Sequence, residues 1–226
     1  MGGKREELIK LVGSENVFDE PEILENYSKD HSFVPSRKPQ LIVKPANSEE
    51  VQNLVSWANR TNTPLIPVSS GPPHFRGDTV PTAGGAVVVD LSRMKRIIRI
   101  DRRNRIVMIE PGVTFGQLQP ELAKEGLKLS TPLLPRDNKS VVASLLEREP
   151  ILIPKYQWTF LEPLRCLEVV WGDGSKLLTG DAGPWGPLER QWEMKHAQVM
   201  PLGWGQADYY RFVSAAQGTM GIVTWA

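Results

Sequence analysis

Leu65-Ile66-Pro67-Val68-Ser69-Ser70-Gly71-Pro72-Pro73-His74-Phe75-Arg76-Gly77-Asp78-Thr79-Val80-Pro81 is the stretch on which the reading of this chain turns. An apolar, strand-like run from Pro64 to Val68 opens into a loop of small residues, prolines and glycines. Beyond it, Gly84 and Gly85 lead into a second apolar run, Ala86-Val87-Val88-Val89-Asp90-Leu91. Small side chains let several backbone N–H groups approach an anion, so strand, glycine-rich turn and strand form the pattern of a pyrophosphate cradle. An ordinary surface loop between two strands has the same composition, and both readings stand at this point.

The bulk numbers narrow the class. With 226 residues, 40% hydrophobic and 23% charged, the chain has the make-up of a globular protein able to bury a substantial core. A net charge of +1 argues against general nucleic-acid binding and against a polybasic membrane anchor. The basic run Arg93 to Arg105 reads as a solvated hairpin. A single cysteine, Cys166, excludes a disulfide framework within the chain and reads as a buried small hydrophobe. His31 and His196 have no partners at metal-ligand spacing, so no metal site is expected. Without an apolar leader or a spanning segment, the expected location is cytoplasmic.

In chain order, Lys4 to Val12 is an amphipathic helix, and Pro21 starts a second one reaching Tyr27. Gln40 to Pro45 is a strand. Asn47 caps a helix whose apolar face is Val51, Leu54, Val55 and Ala58, and Thr63-Pro64 ends it. Strand, helix, strand predicts a parallel pair with a crossover helix. Ile97–Asp101 and Ile106–Glu110 form a hairpin, and Thr114 caps a helix that ends near Gly126. Leu127 to Leu129 reads as a short strand, Leu164–Trp171 and Lys176–Thr179 as a hairpin, Tyr209–Ala216 as a helix, and Gly221–Trp225 as a final strand. Pro and Gly number 19 each, and the tryptophans concentrate after residue 150, so the second half is expected to be less regular. The fold class is α+β, with helices on mixed sheets.

The order of several segments resembles a known family. Ile42-Val43-Lys44-Pro45-Ala46-Asn47 with Glu49-Glu50-Val51 comes first, then the loop described above. Val89-Asp90-Leu91-Ser92-Arg93-Met94 and Ile109-Glu110-Pro111-Gly112-Val113-Thr114 follow. Last come Leu167-Glu168-Val169-Val170 with Asp173-Gly174, and Gly218-Thr219-Met220-Gly221-Ile222-Val223-Thr224. From Pro39 to Ala226 the chain resembles the PCMH-type FAD-binding domain of the vanillyl-alcohol oxidase and p-cresol methylhydroxylase flavoproteins, near their glycolate oxidase and D-lactate dehydrogenase branch. The resemblance implies a two-subdomain fold with FAD between the halves: residues 1–38 an N-terminal helical segment, 39–129 the first subdomain, 130–226 the second. It implies that Val68, Ser69, Ser70, Gly71, Pro72, Pro73 and His74 hold the pyrophosphate through backbone N–H groups. Pro132, Leu133 and the run Ser140, Val141 to Ser144 match the segment along the flavin and diphosphate. Gly221, Ile222 and Val223 match the stretch near the adenine and ribitol. Some relatives attach FAD through a loop histidine, but His74 lies beyond that position, and a solvent-facing or structural His74 is expected.

The chain departs from the family pattern at informative places. Ser69 and Ser70 stand where relatives have glycine, and Pro72-Pro73 follow, each lacking an N–H. Val142-Ala143-Ser144 replaces a glycine-containing pair, and Gln217 replaces a glutamate. The resemblance implies a flavin-dependent oxidoreductase acting on an alcohol, a 2-hydroxy acid or an activated aromatic substrate. A protein partner is implied to supply a cap domain or accept electrons, with Trp185, Trp192 and Trp204 as interface anchors. The competing reading is a structural or assembly subunit that keeps the fold and binds FAD weakly or not at all. No catalytic residue is assigned. Tyr156, Tyr209, Tyr210 and the tryptophans from Trp158 onward are candidates for an aromatic pocket or for core anchors. Glu147, Arg148 and Glu149 read as a solvated charge cluster, and Arg165 as a salt-bridge partner or an anion contact.

Overall fold

The computed structural model describes residues 2–151 and 163–226. Helix α1 (Gly2–Val12), the short strand β1 (Val17–Phe18) and helix α2 (Pro21–Glu25) precede the first sheet element, β2 (Leu41–Val43). Helix α3 (Ser48–Thr61) starts where the Asn47 side chain accepts from the Glu50 N–H at 2.9 Å and stops at left-handed Asn62. Then come β3 (Leu65–Val68), β4 (Val87–Asp90) and the hairpin β5 (Ile97–Asp101) and β6 (Ile106–Ile109). Helix α4 (Phe115–Lys124) opens on a reciprocal capping box between Thr114 and Gln117. Helix α5 (Val141–Leu146), β7 (Glu168–Trp171), β8 (Lys176–Leu178), α6 (Leu188–Glu193) and β9 (Gly221–Trp225) complete the fold. The α+β class is as expected.

The first sheet has the order β1-β2-β4-β3, with β2 and β3 both parallel to β4. The expected strand–helix–strand unit is present, but β4 is inserted between its two strands. Because β3 and β4 are parallel neighbours, residues 69–86 have to return from the end of one to the beginning of the other. The glycine- and proline-rich loop is therefore a crossover rather than a hairpin turn. The second half has an antiparallel sheet, β8-β7-β9, and the exchanged bonds between Ile109 and Ala226 (2.8 and 2.9 Å) join β6 to its end.

Two large apolar clusters fill the interior. One is built on β2, β4 and the buried face of α3, with Val170 and Ile222 reaching in from β7 and β9. The other joins Val113, Phe115 and Leu118 to Val141, Val142, Val169 and Val223. Close backbone approaches fix their relative position. A Cβ on Gly112 would lie 2.6 Å from the Leu91 carbonyl and 2.7 Å from that of Met94, so the Pro111-Gly112 turn seats directly on the segment after β4. Buried Glu110 closes the same corner, accepting from the Arg96 backbone N–H at 2.7 Å and pairing with its guanidinium.

Several local expectations are corrected. Leu127–Leu129 forms no strand. Left-handed Gly126 ends the turn after α4, and Leu127 and Leu129 then pack as partly buried residues on the second cluster. The expected helix Tyr209–Ala216 is a 3₁₀ turn over Tyr209–Phe212, because the chain turns left-handed at Ala215 and Gln217. The ladder predicted from Leu164 begins only at Glu168, and Cys166 lies ahead of it, buried against Asp181 and Met200. Helix α5 was not anticipated. Tyr156 and Trp158 lie outside the described residues.

Asp90, at the end of β4, is buried and accepts from the Tyr27 hydroxyl (2.8 Å) and the Ser92 N–H (2.9 Å), with Lys44 Nζ at 3.0 Å. Removing one member of such a cluster leaves charge and hydroxyl buried without partners. Asp90→Ala is expected to lower unfolding free energy by about 3 kcal/mol, and Tyr27→Phe by about 1 kcal/mol, in urea titrations followed by tryptophan fluorescence. Equal, near-zero losses would mean that the cluster is solvated.

Candidate functional site

The crossover loop is tied to the segment before α5. The Gly71 N–H donates to the Asn138 carbonyl at 3.0 Å, and the Ser140 N–H donates to Ser70 Oγ at 3.1 Å. The Asn138 side chain donates to the Pro72 carbonyl at 2.6 Å, and Arg136 donates to that of Pro73 at 2.5 Å. A Cβ at Gly71 would lie 3.0 Å from the Asn138 side chain, so the two segments are closely packed here. On the other side, left-handed Gly218 packs on Pro67, where a Cβ would approach the proline ring to 2.5 Å. Two segments distant in sequence are thus held against the two ends of one loop.

Between them lies a cavity of about 380 Å³. Val68, Ser69, Ser70, His74, Gly221, Ile222 and Val223 line it. Gly71, Pro72 and Pro73 do not; they form the laced outer part of the loop. From the second segment Val142 and Ala143 reach the cavity, whereas Ser140, Val141 and Ser144 are buried behind it. Ser140 caps α5, accepting from the Ala143 N–H at 3.0 Å and donating to the Pro111 carbonyl at 2.5 Å. Pro132 is buried and bridged to Ile151, and Leu133 is exposed; neither lines the cavity. Gln217 does line it. Tyr209, Tyr210 and the described tryptophans do not: Tyr210 belongs to the second core cluster, and Trp192 is packed beneath Arg99.

Val68, Leu91, Pro111, Val142 and Ile222 give the cavity apolar lining, and His74, Arg76, Asp78, Arg136, Lys139, Glu147 and Glu149 give it ionisable lining. Glu147 and Glu149 are therefore not the solvated cluster the sequence suggested, because the turn after α5 folds them back onto Lys139. Arg148 and Arg165 are exposed. Sequence reasoning missed Arg76, Arg136 and Lys139 as cavity residues. Their only signal was cationic residues flanking two segments already under suspicion. Burial pushes the Glu147 carboxyl above its usual range against the opposing pull of Lys139 and Arg76. Burial also lowers His74, with Asp78 opposing and Arg136 and Lys139 reinforcing that shift. Among the described residues no group of three His, Cys, Asp or Glu side chains is placed to hold a metal, and no helix is long and apolar enough to cross a membrane.

Residues 39–147 match the family model described as the FAD binding domain. The fold is that of PCMH-type FAD-binding domains. The flavoprotein subunit of 4-cresol dehydrogenase (hydroxylating) from Pseudomonas putida is 29% identical over 212 residues, covering 92% of this chain and 39% of that protein. D-2-hydroxyglutarate dehydrogenase from Stutzerimonas stutzeri is 35% identical over 124 residues, covering 54% of this chain and 26% of that one. The structure of 4-ethylphenol oxidase from Gulosibacter chungangensis superposes with a TM-score of 0.83 at 25% identity, over 99% of this chain and 41% of that one. The chain therefore spans well under half the length of the relatives it matches.

FAD is the cofactor of PCMH-type domains, and the cavity fits such a group. Its apolar side chains suit ring systems, its cationic side chains suit phosphates, and its volume falls within the range of roughly 300–1,000 Å³ usual for small-molecule sites. The loop backbone contributes less than the family pattern implies, because Gly71 is already hydrogen-bonded and Pro72 and Pro73 have no N–H.

His74 supplies a pH test of the site. Its folded pKa is below the ordinary 6.5, so the unfolded chain binds the proton first. The stability that this difference supports is complete above 6.5 and falls as pH drops through the window below it. Glu147, raised from 4.5, works in the opposite sense: its neutral form is favoured in the fold, so its contribution to stability falls as pH rises through its own window. His74→Gln is expected to flatten the loss of melting temperature on going from neutral pH to about 5. Wild-type and variant curves of equal slope would show that His74 is solvated.

Proposed function

We propose that this chain is the FAD-binding part of a flavin-dependent oxidoreductase that oxidises an alcohol, a 2-hydroxy acid or an activated aromatic such as a para-alkylated phenol. The observation that supports this best is the convergence of three sequence-distant segments, Val68–Ser70, Val142–Ala143 and Gly221–Val223, on one cavity lined by both apolar and charged side chains. When bound, FAD supplies the hydride acceptor, and the protein supplies binding and orientation. In this reading Val142, Ala143, Gly221 and Ile222 form apolar walls for the rings, and Ser69 and Ser70 offer small side chains where the diphosphate approaches. The proposed division at residue 129 puts the cavity between two subdomains, with loop 68–74 on one and the Val142 and Gly221 segments on the other.

A protein partner, or further chain, that covers the cavity and takes electrons belongs to the same reading. Trp185 and Trp204, exposed to 52% and 57%, are its proposed contacts. Trp192 is not one of them, because its indole N–H is bonded to Gln198 and its ring is covered. The 4-cresol relative is named as a flavoprotein subunit, which supports a multi-subunit arrangement.

The alternative, an assembly subunit with little or no FAD, is favoured by the loss of loop donors at Gly71, Pro72 and Pro73. The absorbance spectrum of the purified chain separates the two. Flavin bands at one FAD per chain, present as isolated or restored by added FAD, are expected. A colourless protein that takes up no FAD would favour the assembly role. Acid precipitation is expected to release the flavin, as required if His74 is not a covalent anchor.

A further inference from the structure

Charged side chains that line the cavity are already paired with one another. Lys139 Nζ lies 2.7 Å from both carboxylate oxygens of Glu147 and 3.9 Å from Glu149. Arg76 reaches Glu147 at 3.1 Å and Glu149 at 3.6 Å, and Ser144 donates to Glu149. Two cations thus share two carboxylates on the wall of a cavity whose loop offers few backbone donors. A phosphate entering there meets Arg76 and Lys139 as its available partners and Glu147 and Glu149 as its rivals.

We propose that Arg76 and Lys139 form an anion receptor for the pyrophosphate of a dinucleotide, and that Glu147 and Glu149 hold these cations in the empty site and give way when the ligand binds. The proposal rests on the flavin reading above. In this chain side-chain cations stand in for the donors missing at Gly71, Pro72 and Pro73, and an internal carboxylate sets how tightly the anion is held. Two phosphate charges and two carboxylates cannot share these cations in a partly buried site without a large repulsive cost. The least costly adjustment is protonation of Glu147, whose carboxyl burial already favours as neutral. Ligand uptake is then accompanied by proton uptake. The groups facing Glu147 are Arg76 and Asp78 from the loop, Lys139 from the segment before α5 and Glu149 from its own turn, with His74 and Arg136 on the same wall. Protonation of Glu147 leaves Arg76 and Lys139 to the phosphates.

The test compares FAD with riboflavin, which has the ring system but no phosphate, using flavin fluorescence titration of the flavin-free chain. Arg76→Gln is expected to weaken FAD about tenfold, the scale of one charge-assisted hydrogen bond, while leaving riboflavin unchanged. Glu147→Gln is expected to tighten FAD roughly threefold and to abolish the proton uptake that calorimetry in two buffers detects. Should Glu147→Gln fail to fold, Glu149→Gln is expected to shift FAD in the same direction. Inorganic pyrophosphate is expected to raise the melting temperature of the chain, and acetate, a carboxylate control, is not. Glutamine at 147 or 149 that weakens FAD or leaves it unchanged in a folded protein would overturn the exchange, as would Arg76→Gln weakening riboflavin as much as FAD. If wild type binds neither flavin but is stabilised by pyrophosphate, the flavin reading fails and the anion receptor stands. If acetate stabilises as well as pyrophosphate, the receptor takes anions at large and the proposal is wrong.

Discussion

The attachment of the crossover loop to the segment before α5 is the constraint on which the site depends. Parallel pairing of β3 with β4 obliges residues 69–86 to travel back across the sheet without a helix to stiffen them. Such a stretch needs outside partners. It finds them in Ser140, Asn138 and Arg136, which hold Ser70, Gly71, Pro72 and Pro73 in turn. The same bonds place Val142 and Ala143 opposite Ser69 and Ser70, so the loop's support is also the cavity's second wall. They carry a chemical consequence too: an N–H bonded to Asn138 is no longer available to a phosphate.

Packing explains why glycines are kept at some positions and absent at others. Gly112 and Gly218 sit where a Cβ would come within 2.6 Å of a backbone carbonyl or 2.5 Å of a proline ring. No side chain can be admitted there without moving one element off another. Ser69, Ser70, Val142 and Ala143 line the cavity, where Ser70 Oγ also accepts from the Ser140 N–H and Val142 joins the second apolar cluster. Side chains in place of glycine at these positions change what the cavity can contain.

Features with local causes were legible in the sequence. Asn47 and Thr114 cap α3 and α4 because their side chains reach N–H groups only three residues away. The β7–β8 turn was readable from Asp173-Gly174, where Gly174 adopts φ +86° and Asp173 accepts from Ser175. Features set by distant partners were not legible. Nothing near β2 or β3 signals that β4 will lie between them, because that order is decided across the whole crossover. The run Glu147-Arg148-Glu149 has the composition of a surface turn, and only the position of Lys139, fixed by the lacing of residues 136–140, turns it inward. The aromatic residues after 150 suggested a pocket by type. Tyr210 and Trp225 instead fill the interior of the second half, where large apolar surface is most effective.

These two levels meet in the electrostatics of the cavity. A binding site for a charged ligand has to remain stable while empty, and a buried Lys139 with no partner would oppose folding. The fold meets this need with Glu147 and Glu149, delivered by the turn that ends α5. Carboxylates that stabilise the empty site necessarily compete with an anion for the full one. Ligand affinity and stability of the empty chain are therefore coupled through the same four side chains. Weakening the internal pairs favours the ligand at the expense of the empty fold, and strengthening them does the reverse. A loop rich in free N–H groups faces no such conflict, since backbone donors need no counter-ion. In the proposed receptor, cations in place of backbone donors turn a fixed cradle into a balance that responds to pH and ionic strength.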